Sequence, residues 1–339
     1  MFSVVKLFVK RRQTIGLASS NFVNDVTIRV APKTKGLLFS FNSCFFCERS
    51  MSFAHNCLGN NIEVDPNIYK NEQPKLNLND CTKMKELTCE NNTAITQIEC
   101  TNTTLSKLMV SGCSNLKTLT CNNNNLSYID IYGCSSLQKL DCKNNQLTSI
   151  TYMNSCKSSL EEFNCSSNKI SSLDLSGYNK LKILYCANNS SLTSLALNNN
   201  DHPNLEEVDC SNCDIRDIDW SNLYLSKLDC SYNSNLTHLN NSRGFSFTPI
   251  RPLTSLAING CVALELLNVD YNQLTSIDLS SCSNLEEIHC KNNKLTSLGL
   301  SSCTKLTQLD CSSNNLISLN LSNNRNIQRL VCSFNVSST

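Results

Sequence analysis

Little in this 339-residue chain points toward catalysis, a membrane or nucleic acid. It has no His-Glu-x-x-His pair, glycine-rich phosphate loop or Gly-x-Ser-x-Gly elbow. Its four histidines, His55, His202, His238 and His289, are scattered, and no local pattern matches one to a nucleophile. These absences argue against an enzyme and imply no cofactor. The longest uncharged run near the N-terminus is too short for a membrane span. There Lys10, Arg11 and Arg12 follow the apolar residues, the reverse of the order in a secretory signal. The first 24 residues lack acids, so a mitochondrial presequence is the alternative to a cytoplasmic address. Charge is nearly balanced, at 29 Lys and Arg against 28 Asp and Glu, with eight of the basic residues in the first 50 positions. The remainder is net negative and carries no basic stripe to track a phosphate backbone, which excludes a nucleic-acid partner.

A short beat repeated from about Leu76 to Cys332 dominates the chain: Leu-x-x-Leu-x-Cys-x-x-Asn-x-Leu, then Leu-x-x-Leu-x-Leu-x-x-Cys. Residues 137–145, 285–293 and 306–314 are near copies of its first half. The period is close to 21 residues, as in Cys121 to Cys142 and Cys290 to Cys311, and each period holds two half-repeats 10 or 11 residues apart. Alternation within Leu-x-Cys or Leu-x-Leu puts the first and third residues on one side of a short strand. No interval is long or periodic enough for a multi-turn helix. The pattern therefore predicts a mainly β solenoid of roughly 12 coils, with two short parallel strands per coil and a core supplied by stacking. Residues 73–335 form the solenoid, with an irregular insertion at 242–252. Residues 1–72 are a non-repeat segment, part disordered and part cap, and 336–339 are a tail.

Of 22 cysteines, 11 recur at the strand position, among them Cys121, Cys142, Cys165, Cys186, Cys290 and Cys311. A second set, including Cys113, Cys134, Cys261 and Cys282, follows the other half-repeat. Thiols in slots that alternate with leucine act as small hydrophobes, which predicts reduced, packed cysteines and a reducing compartment, the cytoplasm. Asn124, Asn145, Asn168, Asn189, Asn293 and Asn314 each lie three residues after such a cysteine. An inward amide there can satisfy turn N–H and C=O groups that would otherwise be buried without partners. Cys213 takes this place in one coil, which predicts a locally weaker coil. Between Cys89 and Cys121 stand three half-repeats where two are expected, as if one side of the stack received an extra segment.

The pattern resembles the leucine-rich repeat family, in its short, irregular 21-residue class. Leu137, Leu140, Cys142, Asn145, Leu147, Ile150, Leu160 and Phe163 fit that class with modest spacing drift. The resemblance covers about three quarters of the chain. It implies a solenoid and a role in protein interaction, with no particular partner.

Residues between the inward positions face solvent. On the first-strand side these include Lys139, Glu162, Ile183, Tyr185, Glu207, Asp209, Asp229, His289 and Asp310, which read as one mostly acidic face interrupted by an apolar pair. A rigid face with an aromatic anchor suits recognition of a protein ligand, although such acids also simply keep a sheet soluble. The second face carries Asp130, Thr151, Asp174, Asp219, Asp278 and Asn320. Phe245 and Phe247 in the insertion offer a further contact or fold back on the solenoid. Cys44, Cys47, His55 and Cys57 supply four potential zinc ligands, but the phenylalanines around them favour a small hydrophobic cap. An uncapped C-terminal coil would invite end-to-end self-association. The expected function is a non-catalytic interaction scaffold. The alternatives are the recognition part of a truncated effector or regulatory enzyme, and a secreted or surface receptor-like protein.

Overall fold

The computed structural model describes residues 75–335 apart from 83, 151–152, 222 and 243–251, together with four backbone strands before them. The chain divides into two compact units, residues 1–160 and 161–339. Both are built as mainly β solenoids, in a chain of about 12 coils with almost no helix. Cys44, Cys47, His55, Cys57, Phe245 and Phe247 lie outside the described residues.

In the first unit the early strands are β1 (Val4–Lys10), β2 (Asp25–Val30), β3 (Leu38–Phe41) and β4 (Asn61–Val64). The repeat strands are β5 (Lys75–Asn77), β6 (Glu86–Thr88), β7 (Gln97–Glu99), β8 (Lys107–Met109), β9 (Thr118–Thr120), β10 (Ile129–Asp130) and β11 (Lys139–Asp141). They fall alternately on two parallel ladders, β5–β7–β9–β11 and β4–β6–β8–β10. On the second ladder β1 pairs in parallel with β4, and β2 and β3 follow antiparallel. A 3-10 turn at Met153–Cys156 is the only helical element among the described residues.

The coil from Leu116 to Cys134 shows why the sequence adopts this shape. Leu116, Leu119, Cys121, Leu126, Ile129, Ile131 and Cys134 are all buried, as is Asn124, while the other residues between them are half-buried or exposed. Each large apolar side chain removed from water contributes about 1.5–3 kcal/mol, and only the neighbouring coils can cover it.

The second unit contains β12 (Glu162–Asn164), β13 (Ile183–Tyr185), β14 (Glu207–Asp209), β15 (Asp217–Asp219), β16 (Lys227–Asp229) and β17 (His238–Asn240). It continues with β18 (Ser255–Ala257), β19 (Leu266–Asn268), β20 (Glu287–His289), β21 (Gln308–Asp310) and β22 (Arg329–Val331). One ladder runs β12–β13–β14–β16–β18, the other β15–β17–β19–β20–β21–β22. The half-repeats opposite β13 and β20 run on without forming strands, so the Cys-Asn half is the more regular side of its coil.

The inward asparagines do what the sequence suggests, and they do it across coils. Asn145 Nδ2 donates to Cys142 O (2.9 Å), to Lys143 O (3.2 Å) and to Cys121 O in the preceding coil (3.1 Å), and Leu126 N–H donates to its Oδ1 (3.0 Å). Asn189, Asn233, Asn293 and Asn314 repeat this bridge. Cys213 Sγ instead donates weakly to Cys186 O (3.4 Å) and Ser211 O (3.7 Å). In that longer coil Leu192 N–H donates to Asn189 O (2.9 Å), so the acceptor an asparagine would supply is not needed.

The extra half-repeat after Cys89 adds nothing to either side, which corrects the sequence expectation. β6 pairs with β8 and β7 with β9 in unbroken alternation. What changes is the side that carries the Cys-Asn half. Cys89 and Asn92 follow β6 on one ladder, whereas Cys100, Cys121 and Cys142 follow β7, β9 and β11 on the other. The second unit repeats the switch: Cys186, Cys210 and Cys230 follow β13, β14 and β16, while Val269, Cys290 and Cys311 follow β19, β20 and β21 on the opposite ladder. Both half-repeats have the same inward pattern and differ in length by no more than a residue, so either fits on either side.

Candidate functional site

The second switch divides the candidate surface. Glu162, Ile183, Tyr185, Glu207, Asp209 and Asp229 share the β12–β18 ladder, with Lys227, Ser255 and Ala257 beside them. His289 and Asp310 do not join them. They lie on the other ladder with Glu287 and Gln308, and Asp219, expected on the second face, is on that ladder too. Lys139 stands on β11 of the first unit. The single first-strand face read from the sequence is therefore two faces, because a register based on cysteine follows the half-repeat type and not the side of the coil.

Each outward residue of a strand has its own duty. The third strand position caps the turn that follows: Asp209 Oδ1 accepts from Ser211 N–H (3.0 Å) and from its hydroxyl (2.7 Å). Asp229 does the same with Ser231 and Asp310 with Ser312. These acids are Asx-turn residues first, since a short carboxylate two positions before an N–H completes such a turn. Asp141 accepts from Lys143 N–H in the same way (3.2 Å), and its burial holds the carboxyl above the usual carboxylate value.

The first strand position and Tyr185 are left to project from the sheet. Tyr185 O–H donates to Glu207 Oε1 (3.0 Å), and Lys227 Nζ lies 3.3 Å from Glu207 Oε2. Partial burial, reinforced by this hydrogen bond and the surrounding carboxylates, pushes the phenol up to about 12. Ile183, on the same strand, is half-buried between Glu162 and Glu207 of the neighbouring strands. An aromatic ring tied at its hydroxyl and flanked by an aliphatic side chain loses little further entropy on contact. On the other ladder His289 Nε2 lies 3.6 Å from Glu287 Oε2, and Gln308 Nε2 donates to Glu287 Oε1 (3.0 Å).

Sequence reading missed a second asparagine column, outside the core. Asp80, Asn102, Asn123 and Asn144 occupy left-handed turn positions with φ of 54° to 61°. Their side chains join head to tail: Asn102 to Asp80 (3.1 Å), Asn123 to Asn102 (2.9 Å) and Asn144 to Asn123 (2.9 Å). Asparagine tolerates this backbone better than other non-glycine residues. The available signal was the doublet, as in Asn123-Asn124 and Asn144-Asn145. Among the described residues no group of three or more His, Cys, Asp and Glu is placed to hold a metal ion, and no helix is long and apolar enough to cross a membrane.

Fold and repeat together define the class, a leucine-rich-repeat-like β-solenoid with a period near 21 residues. The family described as Leucine Rich repeats (2 copies) matches residues 114–154. No curated protein matches the chain. Among solved structures, the functional domain of InlJ from Listeria monocytogenes, described as including a cysteine ladder, is 26% identical over 76% of this chain and 54% of that one, with a TM-score of 0.33. This chain thus spans about half the length of that InlJ structure. YopM from Yersinia enterocolitica WA-314 is 19% identical over 81% of this chain and 76% of its own, with a TM-score of 0.25.

Proposed function

We propose that the protein is a non-catalytic interaction scaffold whose recognition surface is the outward side of β12, β13, β14 and β16. The observation that carries this reading is the Ile183 and Tyr185 pair, held by the Tyr185 to Glu207 hydrogen bond and surrounded by Glu162, Glu207 and Lys227. Such a surface suits a protein ligand with one apolar anchor and a basic rim. Asp209 and Asp229 support the turns beneath it, while His289 and Asp310 belong to a separate face. The same reading favours a reducing compartment, the cytoplasm, because 18 cysteines are buried as thiols in the stack.

The test is affinity capture from cell extract with the wild type, Tyr185→Ala, Glu207→Lys and, as a control on the other ladder, Gln308→Ala. Loss of a central anchor weakens binding by about 30-fold. A protein retained by the wild type and Gln308→Ala, and lost from the first two variants, supports the surface. If every captured protein is indifferent to Tyr185 and Glu207, the surface is wrong.

A further inference from the structure

Acid is concentrated in one stretch of the repeats. Residues 161–230 hold 11 Asp and Glu against 5 Lys and Arg, whereas residues 75–160 hold 6 against 8 and residues 231–339 hold 6 against 7. The acidic stretch is the one that carries β12, β13, β14 and β16. Two columns run across the outward side of these strands. The first-strand column reads Glu162, Ile183, Glu207 and Lys227. The column just before it reads Glu161, Lys182, Glu206 and Ser226, with the N–H of Lys182, Glu206 and Ser226 each donating to the carbonyl one coil back. A pair of glutamates thus stands one coil away on each side of Ile183 and Tyr185. Both lysines already have a carboxylate: Lys182 Nζ lies 2.7 Å from Glu161 Oε2, and Lys227 Nζ 3.3 Å from Glu207 Oε2. With Asp209 and Asp229 of the third-strand column, six carboxylates share this face with two ammonium groups.

We propose that this face takes a basic amphipathic helix of a partner protein, laid along the ladder with one apolar side chain on Ile183 and Tyr185. A Lys or Arg one helical turn to either side then meets Glu161 and Glu162 at one end and Glu206 and Glu207 at the other. The inference rests on the reading of this face as the recognition surface and names the chemistry of its partner. Covering six carboxylates strips water from like charges, a cost that a cationic partner offsets and a neutral one does not. A second copy presenting the same face would set carboxylates against carboxylates, so isologous pairing here is disfavoured. Spacing selects the helix. Adjacent strands of a ladder lie about 4.8 Å apart. Helix residues three or four positions from residue i share its face and sit about 4.5–6 Å from it along the axis. Same-side residues of an extended segment are about 6.8 Å apart and fall out of step within two coils. Tyr185, tied to Glu207, gives the central side chain a fixed aromatic edge.

The probe is a fluorescein-labelled, alanine-rich synthetic peptide with the pattern Lys-x-x-x-Leu-x-x-x-Lys, titrated with the full chain and read by fluorescence anisotropy. One comparator has the same composition with both lysines moved two positions inward, to the opposite side of the helix. The other is a proline-flanked Lys-x-Leu-x-Lys peptide that stays extended. The helical probe should bind about tenfold more tightly than either comparator, and more weakly as salt is raised. Tyr185→Ala and Glu206→Lys should each weaken it about tenfold, and Glu206→Gln, which keeps the side-chain shape, by less in the same direction. Glu286→Lys makes the same charge change on the other ladder and should leave the affinity within about twofold. No anisotropy change at any soluble concentration, equal or tighter binding of either comparator, or equal losses for Glu286→Lys and Glu206→Lys would each overturn the helical basic partner. If the probe fails while a protein captured from extract still depends on Tyr185, the recognition surface stands and this partner chemistry falls.

Discussion

The inward asparagine ties two coils together with one side chain. Replacing Asn145 with Ala strands the buried Leu126 N–H and removes a donor from Cys142 O, while Cys121 O and Lys143 O keep Asn124 Nδ2 and Asn123 N–H, at an expected cost of about 2 kcal/mol in urea unfolding. Cys213→Asn, the reverse exchange, should shift stability by less than about 0.5 kcal/mol, since Leu192 N–H already has its acceptor. A large gain there would show that the coil does lack one. Asp141 offers a pH test. Its folded carboxyl is raised by burial, so proton uptake favours the native state: its contribution is greatest at acid pH and is lost as pH rises through the folded value. Asp141→Asn, which puts there the residue already used at Asn164 and Asn268, should therefore raise the unfolding midpoint at neutral pH and lose that advantage on acidification.

At the scale of the half-repeat, the backbone turn sets the limit on exchange. Where the Cys-Asn half is used, residues such as Asn123 or Tyr232 take the left-handed position, and where the other half is used glycine often does, as at Gly133 and Gly260. Gly260 has φ of +74°, and a Cβ there would come within 2.7 Å of the Tyr232 ring in the coil below. Gly260→Ala should destabilise the second unit by about 1–3 kcal/mol. Adding Tyr232→Ala should recover part of this and leave about 1 kcal/mol from the backbone alone. Additive losses in thermal unfolding of the double variant would show that the ring and the glycine are not coupled.

Across the whole molecule, the thiols report how the chain is held together. Of the cysteines at positions 81–332, Cys332 is exposed and the rest are buried. Burial pushes Cys100, Cys134 and Cys282 up to about 12, so they stay protonated at neutral pH. In native protein an alkylating reagent should label Cys332 within minutes and leave the others until denaturant opens the coils, read by peptide mass spectrometry. Early labelling of Cys121 or Cys142 would contradict the packed seam.

Much of this was legible in the sequence. The spacing of leucine, cysteine and asparagine alone determined the coil, its strands and the residues that face inward, since a period of two within each strand leaves only one way to bury Leu119 and Cys121 together. It even identified the amide of Asn145 as the partner for buried backbone. Which ladder each strand joins was not legible, because the two half-repeats share one inward pattern and nothing local distinguishes one side of a coil from the other. Only the stacking of coils decided that Glu207 and Asp310 face different ways, that Asp209 is spent on its own turn, and that Cys113 lies against Cys89. Local pattern specifies what a residue buries, while its neighbours across the stack depend on a running count of half-repeats that a single extra Cys-Asn unit reverses.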